Sequence, residues 1–168
     1  MGLGVMLMIR GPQQTGFIGG QVVDALVSQI DLFPTLCEML EIDAPDWLDG
    51  RSMMPLMDGR SEAIHDWIFG EQNYHGRLFD PQRTIRTPRY RYIRRKPVEH
   101  VRVVDLGPTN QWFREMNYGN WPEGEELLFD LYFDPVEMCN LADSFEHAEV
   151  LAELRGRLDH WMQQTNDP

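Results

Sequence analysis

Arg83-Thr84-Ile85-Arg86-Thr87-Pro88-Arg89-Tyr90-Arg91-Tyr92-Ile93 decides the fold class of this chain. Residues 83–86 and 90–93 are rich in β-branched and aromatic side chains, and Thr87-Pro88-Arg89 between them is turn-forming. That pattern predicts two strands joined by a tight hairpin. By the two-residue period of a strand, Tyr90 and Tyr92 share one face, with Arg89, Arg91 and Ile93 on the other. Working outward, 67–71 (Trp-Ile-Phe-Gly-Glu) predicts a strand before the hairpin, and 126–131 a strand after it, stopped by Asp134-Pro135. Beyond these, Val150, Leu151, Leu154, Leu158, Trp161 and Met162 recur at helical spacing, and Glu146 and Glu149 fall early, where the helix dipole favours acids. The expected unit is a roughly four-stranded antiparallel sheet with an amphipathic C-terminal helix packed across it. Gly156 weakens that helix by about 1 kcal/mol relative to alanine.

The first sixty residues read differently. Val5-Met6-Leu7-Met8-Ile9 is a continuous apolar run closed by Gly11-Pro12, the pattern of a strand covered on both faces. Residues 13–21 are glycine-rich and polar, a loop. Asp31 reads as a helix N-cap whose carboxylate accepts from the first turn, with Pro34 where no donor is needed. Leu32, Phe33, Leu36, Met39 and Leu40 form the expected apolar stripe of that helix, which ends near Glu41. Asp49-Gly50-Arg51 is a turn, and 52–57 a short helical turn stopped by Asp58-Gly59. Residues 98–122 are irregular, with Trp112, Phe113 and Trp121 as anchors. The expected division is 1–60 and 61–168.

Composition restricts the function. The chain has 168 residues and a formal charge of −12, from 27 acids and 15 bases, which argues against a general nucleic-acid binder. Residues 83–96 nevertheless hold Arg83, Arg86, Arg89, Arg91, Arg94, Arg95 and Lys96 with no acid, +7 in one window, leaving −19 for the remainder. The 89–96 face reads as a solvated hairpin surface rather than a glycan track. No apolar run approaches the ~20 residues of a membrane span, and the apolar start has no basic n-region, so the chain as given reads as cytoplasmic, without a signal peptide or membrane contact. Two cysteines, Cys37 and Cys139, are too few for a disulfide framework or a zinc site, although one bridge stays open. Cys37, among Leu36, Met39 and Leu40, reads as a buried small hydrophobe. There is no dinucleotide fingerprint, P-loop, zinc-protease helix or nucleophile elbow.

Five phrases rise above this background: 8–12 (Met-Ile-Arg-Gly-Pro); 27–36 (Val-Ser-Gln-Ile-Asp-Leu-Phe-Pro-Thr-Leu); 48–56 (Leu-Asp-Gly-Arg-Ser-Met-Met-Pro-Leu); the hairpin; and 127–142 (Leu-Leu-Phe-Asp-Leu-Tyr-Phe-Asp-Pro-Val-Glu-Met-Cys-Asn-Leu-Ala). Together, and in this order, they resemble the last third of sulfatases, members of the alkaline-phosphatase-like superfamily. Gln72-Asn73-Tyr74-His75 and the closing Trp161…Thr165-Asn166-Asp167-Pro168 resemble the heparan N-sulfatase (sulfamidase) branch.

The resemblance implies an α/β protein: a residual strand and helix of the large sulfatase domain over 1–60, then the small C-terminal subdomain over 61–168. It implies hydrolysis of sulfate esters or sulfamates, such as those of N-sulfoglucosamine, by a full enzyme whose sulfated-sugar pocket this region helps to wall. Family chemistry uses a formylglycine, made from cysteine in a C-x-(P/A)-x-R setting, beside a calcium ion. Cys37 is followed by Glu-Met-Leu-Glu and Cys139 by Asn-Leu-Ala-Asp, so neither fits, and no cofactor is expected in this chain. By itself the chain is therefore expected to be inactive. The site residues that remain are His75, at the end of a strand beside Gly76, which can donate to a sulfate or sugar hydroxyl, and Arg83, which can grip an anion with two N–H groups. Glu71 and Asp80 are candidates to orient His75. The alternatives are an accessory or sulfated-glycan-binding module, or a truncated non-functional reading frame. An unpaired strand at 5–9 would favour self-association.

Overall fold

The computed structural model describes residues 4, 6–11, 20–75, 78–96 and 124–167, with the side chains of His75, Leu78 and Phe79 outside that description. Residues 13–19 of the loop expected over 13–21, the bend at Gly76 and the anchors Trp112, Phe113 and Trp121 lie outside the described residues. The chain divides into two compact units, Met1–Ile68 and Phe69–Pro168.

In the first unit a single 3-10 turn, Gln29–Asp31, runs into α1 (Leu32–Met39), and α2 (Met54–Met57) follows after a loop. Pro34 occupies the third position of α1 and needs no donor there. The helix stops at Leu40, with Glu41 in the left-handed region (φ 55°) and the Ile42 amide donating to Cys37 O at 2.9 Å. Two expectations are corrected. Asp31 does not cap the first turn: its carboxylate is turned away, accepting from Ser28 N at 2.7 Å and Arg51 N at 2.8 Å, with His65 Nε2 within 3.0 Å of both oxygens. The apolar stripe of α1 is also not its buried face. Asp31, Pro34, Thr35 and Cys37 are buried, while Phe33, Leu36 and Leu40 are at least half exposed.

The reason lies in the 48–56 phrase. Gly50 comes so close to Ile30 that an added Cβ would stand 2.1 Å from its carbonyl oxygen. The chain then continues along the helix, Arg51 N–H reaching Asp31 and Met53 N–H reaching Thr35 Oγ1 at 2.8 Å. Thr35 Oγ1 itself donates to Asp31 O at 2.5 Å. Packing against a backbone selects small polar side chains that can satisfy its amides. Over the described residues 6–9, the strand expected at 5–9 is not observed. Residues 6–10 have no regular structure, Met6 and Met8 are exposed, and no described strand lies alongside to complete a ladder.

The second unit matches its expectation. Strands β1 (Ile68–His75), β2 (Leu78–Arg86), β3 (Tyr90–Arg95) and β4 (Glu126–Asp130) form one sheet in the order β1-β2-β3-β4. β2 and β3 pair antiparallel with Ile85 opposite Tyr92, and β3 and β4 with Tyr92 opposite Leu128. The hairpin is closed at Thr87 and Tyr90, whose main chains and the Thr87 hydroxyl are hydrogen bonded, leaving Pro88-Arg89 as a two-residue loop.

α3 (Ala148–Gln164) buries Leu151, Leu154 and Leu158. It lies over the Ile85–Tyr92–Leu128 row: Arg94 Nη1 meets Asp159 Oδ1 at 2.5 Å, Arg155 bonds Glu126 at 2.7–2.8 Å, and Phe69 stacks on Trp161 at 4.9 Å. The opposite row gathers Ile93, Leu127 and Phe129, with Leu131 packed against it.

The 127–142 phrase closes the outer edge of β4. Leu141 N–H donates to Leu128 O at 2.8 Å, and Asn140 takes Leu128 N–H at 2.9 Å while giving to Glu126 O at 3.1 Å. These bonds satisfy groups that an open edge would leave free.

Candidate functional site around Arg83

Arg83 stands on β2, on the face covered by α3, and only 4% of its surface is exposed. A guanidinium this deep requires partners for its N–H donors. Asp167 takes two, through Nε–Oδ2 and Nη2–Oδ1. Nη1 reaches Asn73 Oδ1 at 2.9 Å, Gln82 O at 3.0 Å and Gln72 O at 3.3 Å. Glu71 Oε2 stands 3.9 Å from Nε. The hydrogen bonds to Arg83 hold the Asp167 carboxyl below its ordinary value and raise the Arg83 guanidinium in return.

How Asp167 gets there follows from the end of α3. Asn166 takes a left-handed conformation (φ 52°); its N–H bonds Gln163 O at 3.3 Å, and Asp167 N–H bonds Met162 O at 2.9 Å. This is a Schellman turn, which reverses the chain and satisfies carbonyls of the last helical turn. Thr165 Oγ1 donates to Trp161 O at 2.9 Å. The described part of the closing phrase thereby finds its roles, since Trp161 stacks on β1, Thr165 and Asn166 end the helix, and Asp167 holds Arg83.

His75 is the last residue of β1, and its side chain lies outside the described residues, as does any contact of it with Glu71 or Asp80. Asp80 Oδ2 accepts from Gln82 Nε2 at 2.6 Å. The structure brings Arg83 to within hydrogen-bonding reach of the β1 segment that ends at His75, using Asp167 and Asn73, neither of which the sequence marks as a site residue on its own. The closing phrase is the signal for the first. The Gln72-Asn73-Tyr74-His75 phrase is the signal for the second.

The expectation of a solvated 89–96 face holds for the exposed Arg89 and Lys96 and is corrected for Arg91 and Arg94. Arg89 pairs with Asp130 at 2.7 Å, Arg91 with Glu137 at 2.6 Å and Arg94 with Asp159 at 2.5 Å, and Arg91 is buried. In the register Arg83 faces Arg94 and Arg86 faces Arg91, and like charges so placed repel. Acids from the last third of the chain relieve that repulsion. An open depression of about 500 Å³ beside Arg94, Arg95 and Lys96 is also lined by Glu125, Glu126 and Asp143, so its charges balance.

His65 serves the first unit through Asp31, which is fully buried. Cys37 is buried, Cys139 is exposed, and both thiols are free. Among the described residues no group of three or more His, Cys, Asp or Glu side chains gathers as a metal site.

Residues 2–118 match the family model for N-sulphoglucosamine sulphohydrolase, C-terminal. An ulvan-active sulfatase of Formosa agariphila is 28% identical over 99% of this chain and 34% of its own length. Human N-sulphoglucosamine sulphohydrolase is 27% identical over 89% of this chain and 34% of its own. The chain thus spans about a third of the length of these relatives. The solved structure of a 2-O GAG sulfatase superposes with a TM-score of 0.59 at 29% identity, covering 82% of this chain and 25% of that one. The α/β fold with its four-stranded antiparallel sheet is therefore that of a sulfatase C-terminal domain, and the chain belongs to the N-sulphoglucosamine sulphohydrolase C-terminal family.

Proposed function

We propose that this chain serves as the C-terminal portion of a sulfatase that hydrolyses sulfate esters or sulfamates of sulfated glycans, N-sulfoglucosamine among them, and that residues 1–168 alone are inactive. The observation that carries the reading is the family match over residues 2–118. In the full enzyme the formylglycine and the calcium ion belong to the part of the family's length that this chain does not span. The small domain supplies a wall of the sugar pocket, with His75 at the end of β1 as the residue that donates to a sulfate or hydroxyl oxygen. The exposed Phe33, Leu36 and Leu40 on α1, and Met6 to Ile9, support a surface that the rest of the large domain covers, and that in this chain alone favours self-association.

Two measurements test the reading. The purified chain, incubated with N-sulfoglucosamine and with 4-nitrophenyl sulfate, is expected to release no inorganic sulfate; release that Cys37→Ser or Cys139→Ser abolishes would refute its inactivity. Sequencing the DNA upstream of the codon for Met1 is expected to show an in-frame C-x-(P/A)-x-R segment. A promoter and start site with no such frame would overturn the reading of this chain as part of a sulfate-releasing enzyme in favour of a separate module.

A further inference from the structure

We propose that Arg83 and Asp167 form a positioning clamp that fixes the end of β1, so that Arg83 acts on the substrate pocket through Gln72 and Asn73 without touching substrate. This rests on the preceding reading, that the segment ending at His75 borders the pocket.

β1 is an edge strand of the sheet, and edge strands are the first to fray. Residues 71–74 are polar, and Glu71, Asn73 and Tyr74 are exposed, so little burial of their own holds them. What holds them comes from outside the strand. At its start, Phe69 stacks on Trp161 of α3 with the ring planes 6° apart. Near its end, in addition to its pairing with β2, Arg83 attaches it through Asn73 Oδ1 and Gln72 O. The guanidinium is in turn held at fixed orientation by the fork-to-fork pair with Asp167. Asp167 is placed by the Schellman turn, so the tail after α3 and the tip of β1 are joined through one planar group. With each guanidinium nitrogen of Arg83 bonded to a protein acceptor, a substrate anion could recruit it only by breaking this pair and leaving Asp167 without its partner.

The test compares Asp167→Asn, Asp167→Glu and Arg83→Lys. In the 168-residue chain, hydrogen exchange of the Gln72–Tyr74 amides is expected to quicken about tenfold in Asp167→Asn and Arg83→Lys, while Tyr92 and Leu127–Phe129 keep their protection. Asp167→Glu, which keeps the charge, is expected to restore much of it. In a full-length sulfatase containing this chain, Asp167→Asn is expected to raise KM for a sulfated monosaccharide about tenfold and leave kcat within twofold, because the tip of β1 orders substrate and not the reacting atoms. Unchanged exchange at 72–74, or an equal loss across the whole sheet, overturns the clamp. So does a fall in kcat with KM unaltered. Should the full-length enzyme release no sulfate from any sulfated sugar, the functional reading has failed, and the exchange pattern alone still decides whether the clamp exists.

Discussion

At the scale of single residues, the 27–36 and 48–56 phrases describe one backbone-to-backbone contact. Gly50 lies against Ile30, Asp31 receives amides from both sides of that contact, and Thr35 bridges Asp31 O and Met53 N. Only glycine fits at 50: an added methyl meets carbonyl atoms of Ile30 at 2.1 and 2.6 Å, and main chain cannot rotate aside as a side chain would. Gly50→Ala is therefore expected to destabilise the first unit by at least about 2 kcal/mol, in the range of overpacked cores. Urea unfolding followed by circular dichroism measures it. An unchanged midpoint would mean that the approach of Gly50 to Ile30 is not what fixes the loop.

At the scale of elements, what can be read from the sequence depends on which force places each residue. The hairpin and α3 are legible because apolar burial places them: Ile85, Tyr92, Leu128 and Leu158 are fully buried and lie at the expected spacings. β1 runs to His75, where the sequence expects a strand to end, but past the apolar run at 67–71, because residues 71–74 are a polar edge held by β2, by Arg83 and by the Phe69–Trp161 stack. Such cross-chain partners leave no periodicity. The buried side of α1 is hidden for a related reason, since a face that packs on backbone is polar, and hydrophobicity points to the opposite side. The partners of the hairpin arginines are equally hidden, lying 41 to 84 positions further along. Gly156 offers a test at this scale. It is exposed, in mid-helix, and a Cβ there meets nothing within 4 Å. Gly156→Ala is expected to stabilise the second unit by about 1 kcal/mol, opposite in sign to the change at Gly50. A lower melting temperature by calorimetry would show that α3 needs flexibility there.

At the scale of the molecule, the charge is segregated by sequence and recombined by the fold. The +7 window is met by Asp130, Glu137, Asp159 and Asp167, all from the last third of a chain whose remainder is −19. Glu126 adds a link, held by Arg155 and by the hydroxyl of Tyr92, whose ring is fully buried. Hydrogen bonds from Arg155, Arg89 and Arg83 hold the carboxyls of Glu126, Asp130 and Asp167 below their ordinary values. This sets the direction of the pH response. Above about pH 4, the usual carboxyl value, these groups are ionised whether the chain is folded or not, and their contribution is complete. Below it the unfolded chain takes up protons first, and the contribution is lost as pH falls through each lowered value. The facing arginines then keep their charge while their partners lose theirs, so repulsion across β2 and β3 adds to the loss. The melting temperature of the second unit is expected to hold steady from pH 7 to about 5 and to fall steeply below about 4. The double variant Glu126→Gln, Asp167→Asn is expected to start lower at pH 7 and to show a shallower fall, because two of the titrating groups are gone. Parallel curves for the two proteins would mean that these ion pairs do not set the acid limit, and that acids elsewhere in the chain do.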